Sequence, residues 1–252
     1  NDYKRLYGVI SEVEEPKGLV IFIHGLLGHQ NQHIFYNARN YFTEQGFDCF
    51  RFNFYGPQKD TRNLNETVLS TYVNDINTMI ERFKEHYDRI YLVAHSIGSP
   101  AMLLADHHAV TALISWDGTM HGGSMLLEQL SDYHESFNAY YTTAFGYGVF
   151  IPKPLLDSWE ETTNADLIKD LRRPVKVILA EKGITKHRWG ELADQMPVEF
   201  AQVELETASH NFNEEGIAQK LFDETLAWIN HWTTLPEEDQ EEGEGDETIP
   251  SE

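Results

Sequence analysis

Cysteine is nearly absent: Cys49 is the only one in 252 residues. An intramolecular disulfide is therefore excluded, and a reducing cytoplasmic setting is expected. No stretch approaches the ~18 consecutive apolar residues of a membrane span, so no span is expected. Asn1-Asp2-Tyr3-Lys4-Arg5 is not followed by the apolar core of a secretory signal, although a leader already removed would leave no trace in a chain that does not start with Met. Basic residues are scarce, 19 Lys and Arg against 41 Asp and Glu, for a net charge of -22. Nine of the acidic residues fall in 236–252, a segment with no basic residue and one isoleucine. Such a segment buries too little apolar surface to fold and is expected to be a disordered, solubilising acidic tail; the other use of such a tail is to bind a basic partner. Without it the body still carries about -13, which argues against nucleic acid and anionic membrane surfaces as partners.

Cofactor signatures are missing as well. There is no G-x-G-x-x-G and no G-x-x-x-x-G-K-S/T, so no nucleotide cofactor is indicated. Twelve histidines invite a metal reading, but His107 and His108 are adjacent and no Cys-His cluster has ligand spacing, so neither a metal nor another cofactor is expected.

What the chain does have is alternation. With 41% hydrophobic residues it can bury a sizeable core, and its length suits one domain, residues 1–235, carrying an insertion. Strands are expected at 7–13, 19–23, 48–54, 90–93, 112–116, 175–180 and 200–205. Helices are expected at 32–45, ended by Gly46, then through Leu69, Val73, Ile76, Ile80, Phe83 and Tyr87, after Ser96, near 187–195, and through Ile217, Leu221, Leu226 and Ile229. Strands alternating with helices predict an α/β fold with a mostly parallel sheet covered on both faces. Cys49 sits in one of these strands as a buried thiol.

Residues 118–165 break the rhythm. They hold Tyr133, Phe137, Tyr140, Tyr141, Phe145, Tyr147, Phe150 and Trp159, together with Gly122-Gly123 and Pro152-Lys153-Pro154. Ligands of such folds bind beyond the carboxyl ends of the strands, so an aromatic insertion there is expected to form a cap over the pocket. Most of these rings are expected to pack on one another, and two or three to face a ligand.

Two loops carry the chemistry. Ala94-His95-Ser96-Ile97-Gly98 directly follows the apolar run Ile90-Tyr91-Leu92-Val93 and precedes a helix. A serine flanked two residues away by Ala and Gly fits a nucleophile elbow, a turn so sharp that bulky flanking residues would clash with the neighbouring elements. Upstream, the apolar run 18–23 ends in His24-Gly25-Leu26-Leu27-Gly28, and downstream Ala208-Ser209-His210-Asn211-Phe212 follows the run 198–205.

This order, strand and His-Gly loop, strand and serine elbow, then a late loop histidine, resembles the α/β-hydrolase superfamily. Within it the chain is similar to small single-domain esterases, the group with cinnamoyl and feruloyl esterases, monoacylglycerol lipases and serine aminopeptidase-like proteins. The resemblance spans about residues 5–232. It implies Ser96 as nucleophile, His210 as general base and acid, and the backbone N–H groups of Leu26 and Ile97 as an oxyanion hole. It also implies that His24 supports the His-Gly loop and that His95 points away from the nucleophile. The triad acid stays open. Relatives carry an Asp shortly after the strand equivalent to 175–180, where this chain has Gly183. Asp117, after strand 112–116, and Glu181 are the two substitutes, and the third reading is that no acid is present. Pro57-Gln58-Lys59-Asp60-Thr61-Arg62 also departs from the R-G-x-G of relatives, so the substrate does not transfer by analogy. The expectation is a serine hydrolase acting on a small-molecule carboxylic ester with a small to medium or aromatic acyl group. The alternatives are a thioesterase or amidase with the same relay, and a non-catalytic binding protein that has lost its acid.

Overall fold

The computed structural model describes residues 4–120, 129, 131–183 and 186–234, with the backbone alone at 186–188. The acidic segment 236–252 and part of the insertion, 121–128 and 130, lie outside the described residues.

Seven strands form the central sheet in the order β1-β3-β2-β4-β5-β9-β10. They are β1 (Tyr7–Ser11), β2 (Leu19–Ile23), β3 (Asp48–Asn53), β4 (Ile90–His95), β5 (Ala112–Trp116), β9 (Val175–Ala180) and β10 (Phe200–Leu205). All neighbours pair in parallel except β1, which runs antiparallel to β3 at the edge. The apolar runs read as strands because both faces of this sheet are covered. In β2, Leu19, Ile21 and Ile23 enter one core while Val20 and Phe22 enter the other. Ile90, Leu92 and Ala94 of β4 divide from Tyr91 and Val93 in the same way, as a side-chain period of two requires.

The first core is closed by α2 (Leu69–Phe83) and α3 (Gly98–Leu103), the second by α1 (His33–Glu44) and α7 (Ile217–Thr234). Helix α1 ends where Gly46 takes φ +88° and the Phe47 N–H returns to the Phe42 carbonyl, a Schellman closure. No described helix is long and apolar enough to cross a membrane.

Some ends differ from expectation. Strand β1 stops at Ser11, and the Val13 N–H instead donates to the Asp48 carboxylate at 2.7 Å. Helix α2 stops at Phe83, four residues before Tyr87, whose hydroxyl is drawn to Asp48 at 2.6 Å. The turn after β3 is pinned by Arg62, which donates to the Phe54 carbonyl and, in a two-pronged pair, to Asp75 of α2.

The insertion contains a second sheet, β6 (Asp132–His134), β7 (Ala139–Thr142) and β8 (Val149–Pro152), all antiparallel. It is followed by α4 (Lys153–Glu160) and α5 (Asn164–Ile168). Tyr133 packs at a tilt against Tyr140, while His134, Phe137 and Tyr141 gather around Phe150. The remaining helix, α6 (Lys186–Ala193), lies between β9 and β10 and ends two residues before the expected 195.

Candidate active site

The carboxyl ends of β4, β5 and β10 place the three candidate groups. Strand β4 runs two residues beyond the expected 93, so Ser96 follows it directly, with φ +56° in the left-handed region that non-glycine residues rarely adopt. Helix α3 starts two residues later. A Cβ on Gly98 would lie 2.9 Å from the His24 carbonyl oxygen and 3.1 Å from that of Ile23, and backbone atoms cannot yield as a side chain would. The glycine lets α3 leave the elbow against β2.

His210, in the loop after β10, is the hub. Its Nδ1 donates to Asp117 Oδ2 at 2.6 Å, and its Nε2 lies 3.1 Å from Ser96 Oγ, placed to accept the serine proton. Asp117 is 2% exposed and its second oxygen accepts from the Ala180 N–H at 3.1 Å. Its own N–H donates to the Ile178 carbonyl, and its φ of +42° turns the side chain off the end of β5 toward His210. Of the two candidate acids, this is the one brought to the histidine. Glu181 turns instead to the Thr207 N–H at 2.7 Å.

The other two histidines brace the loops. His95 is buried; its Nε2 donates to the His210 carbonyl at 2.7 Å and its ring lies 4.7 Å from the His210 ring. Burial, reinforced by the neighbouring His210, lowers its pKa to about 3, so it stays neutral. His24, also buried, accepts from the Phe54 N–H through Nε2 and so carries its proton on Nδ1, which donates to the Gly25 carbonyl at 2.8 Å. Burial lowers its pKa to about 4, and the ring ties the His-Gly loop to the residue after β3.

A cavity of about 270 Å3 opens onto Ser96 and His210. Leu26 and Leu27 line it from the His-Gly loop, and Phe145, Tyr147 and Trp159 from the insertion. Ile97, the other residue expected at the oxyanion hole, is buried immediately after Ser96 and precedes α3. Gln32 and Asn211 add polar lining, and the Gln32 Oε1 is buried without a hydrogen-bond partner.

Sequence reasoning passed over Thr119, whose hydroxyl lies 3.3 Å from Ser96 Oγ and whose N–H donates to the Ser96 carbonyl. Its place two residues after Asp117 was the available signal. It named Trp159 only among the aromatic residues of the insertion and passed over Trp189, yet both indoles hold this turn: Trp159 Nε1 donates to the Thr119 carbonyl and Trp189 Nε1 to that of Gly118. For metals, His29 and His33 are four apart, but no group of three or more His, Cys, Asp or Glu among the described residues could hold an ion.

The family model described as alpha/beta hydrolase fold matches residues 18–148, just over half of the chain and including Ser96 and Asp117. The chain belongs to the alpha/beta hydrolase fold family. Among solved structures, this hydrolase-fold chain is similar to Est1E from Butyrivibrio proteoclasticus with ferulic acid bound, at 16% identity and a TM-score of 0.76, over 90% of this chain and 95% of that one. It is similar to the alpha/beta hydrolase domain-containing protein 10 from mouse, at 18% identity and TM-score 0.72, over 90% and 94%. The monoacylglycerol lipase of Paleococcus ferrophilus gives 14% identity and 0.70, over 90% and 99%. No curated protein matches the chain in sequence. At these identities the likeness to solved structures establishes the fold.

Proposed function

We propose that this α/β-hydrolase is a serine hydrolase that cleaves carboxylic esters through an acyl-enzyme. The observation that carries the reading is the continuous relay from Ser96 Oγ to His210 at 3.1 Å and from His210 to the buried Asp117 at 2.6 Å. His210 takes the Ser96 proton on Nε2 as Oγ attacks the ester carbonyl carbon. The oxyanion then accepts from the backbone N–H groups of Leu26 and Ile97. His210 returns the proton to the leaving alcohol oxygen as the C–O bond breaks, and water, deprotonated by the same nitrogen, releases the acid and restores Ser96. Asp117 holds the tautomer with hydrogen on Nδ1 and compensates the imidazolium charge.

The insertion acts as a cap, and Phe145, Tyr147 and Trp159 give the cavity walls suited to a small to medium or aromatic acyl group. A thioester or amide would use the same relay. The non-catalytic alternative drew on the missing acid at 183, and the position of Asp117 weighs against it.

The test is labelling with a fluorophosphonate, followed by peptide mapping and a panel of aryl esters of graded acyl length, with Ser96→Ala as control. Stoichiometric modification of Ser96 and best turnover of short or aromatic acyl groups are expected. A folded protein that neither labels nor turns over any ester would overturn the proposal.

A further inference from the structure

The hydrogens around Ser96 can be assigned one by one. Asp117 is a buried carboxylate that accepts from the Ala180 N–H and from His210, so His210 carries its hydrogen on Nδ1 and a lone pair on Nε2. That lone pair takes the single hydrogen of Ser96 Oγ, 3.1 Å away. Thr119 Oγ1 lies 3.3 Å from the same serine oxygen. The serine hydrogen is already committed, so Thr119 is the donor in this second contact. Among the described residues its hydroxyl has no other hydrogen-bond partner.

Thr119 is fixed there from both sides. It is 2% exposed, its N–H donates to the Ser96 carbonyl at 3.2 Å, and its own carbonyl accepts from Trp159 Nε1 at 3.2 Å. The turn before it lies against the elbow because position 118 is glycine: a Cβ there would come within 2.6 Å of Ser99 Cβ and 2.7 Å of Ser99 Oγ. A β-branched side chain is stiff about its first torsion, which keeps the hydroxyl on Ser96 Oγ.

We infer that Thr119 is a catalytic residue of the second half-reaction, its hydroxyl donating to Ser96 Oγ as that oxygen leaves the acyl group. The inference rests on the ester-hydrolase reading above. A donor accelerates a step only if its bond is stronger in the transition state than in the state before it. Before attack, Oγ is a hydroxyl oxygen that already accepts from Thr119, so the gain on acylation is partial. In the acyl-enzyme Oγ is the bridging oxygen of an ester, a poor acceptor because its lone pair is delocalised into the carbonyl. Once water has added, the tetrahedral intermediate loses either that water or Oγ. Loss of Oγ breaks the C–Oγ bond, the electron pair goes to Oγ, and His210 returns the proton to the same atom. The Thr119 hydroxyl meets the negative charge that builds on Oγ in this step, and a resting contact of 3.3 Å has room to shorten onto it. The donor thus favours hydrolysis over return to the acyl-enzyme.

The test uses the full chain as wild type, as Thr119→Val, which keeps the shape and drops the hydroxyl, and as Thr119→Ser, which keeps the hydroxyl. Rapid mixing with excess 4-nitrophenyl acetate separates acylation, the burst of nitrophenolate, from deacylation, the steady rate, and intact mass spectrometry counts acetyl groups on Ser96. In Thr119→Val, deacylation is expected to fall about tenfold and acylation no more than about threefold, as fits one hydrogen bond to a charge-bearing oxygen, so that acetyl-enzyme accumulates. Thr119→Ser is expected to stay within about threefold of wild type in both steps. A folded Thr119→Val whose acylation falls as far as its deacylation assigns the residue to packing of the elbow and overturns the inference. A Thr119→Ser as slow as Thr119→Val overturns it too. Fluorophosphonate labelling separates the two levels of the argument. A wild type that neither labels at Ser96 nor hydrolyses the ester sinks the catalytic reading and the inference with it, whereas a wild type that does both, matched in both steps by Thr119→Val, sinks the inference alone.

Discussion

Two neutral histidines buried near Ser96 make the fold sensitive to mild acid. His24 has a pKa of about 4 and His95 of about 3, against 6.5 for a free side chain, and desolvation is the main cause of both shifts. A depressed folded-state pKa means that the unfolded chain binds the extra proton first as the pH falls. Stability is therefore complete above about 6.5 and declines below it until the folded pKa values are reached. Between pH 7.5 and 5.5 each histidine removes about 1 kcal/mol, so the pair removes about 2–3 kcal/mol, a large part of a typical 5–15 kcal/mol. His107, also lowered mainly by burial, acts in the same direction. The assay is urea unfolding at pH 7.5, 6.5 and 5.5, for wild type and for His95→Gln. Glutamine keeps an N–H for the His210 carbonyl but cannot titrate, so the variant should lose about 1 kcal/mol less across the range. A flat wild-type profile, or a variant with the wild-type slope, would refute the reasoning.

Replacing Asp117 by Asn should reduce kcat by about 10^4-fold, whereas Glu181→Gln, away from the relay, should stay within about threefold; steady-state ester kinetics compare them. Breaking the buried Arg62 pair with Asp75→Asn should cost about 3–5 kcal/mol, read as a lower urea midpoint with unchanged slope. Removing either ring that enters the cavity from the loop between β7 and β8, by Phe145→Ala or Tyr147→Ala, should raise KM for aromatic acyl esters up to about tenfold while acetyl esters change little, since a ring contact is worth roughly 1 kcal/mol. An equal rise for both substrates would place these rings outside the acyl site.

How much of this could be read from residues alone follows the physics of each element. Strands β2, β5, β9 and β10 were legible to the residue because each is bounded by a change in composition, and β2, β5 and β9 are buried along their whole length. The elbow was legible because Ser96 and Gly98 obey a local steric rule. Which carboxylate reaches His210 was not, because the choice between Asp117 and Glu181 depends on where a side chain points. A φ of +42° at the end of β5 leaves no trace in the local pattern, and the crowding of Gly183 against the Asp117 carboxylate involves residues 66 positions apart. The insertion showed its aromatic content, but not that Phe137 and Phe150 would pack together while Phe145 and Tyr147 turned to the cavity. Helix ends such as Phe83 were set by tertiary partners, here the pull of Asp48 on Tyr87.

The turn from Trp116 to Thr119 is bracketed by indoles: Trp116 begins it, and Trp159 and Trp189 hydrogen-bond its next carbonyls. The chain has five tryptophans, and the other two, Trp228 and Trp232, lie on α7. Three of the five indoles therefore sit at the turn whose Thr119 hydroxyl lies beside Ser96 Oγ. A ligand that fills the cavity displaces water from Trp159 in its wall, so a change in the intrinsic emission of the unlabelled protein is the expected sign of occupancy.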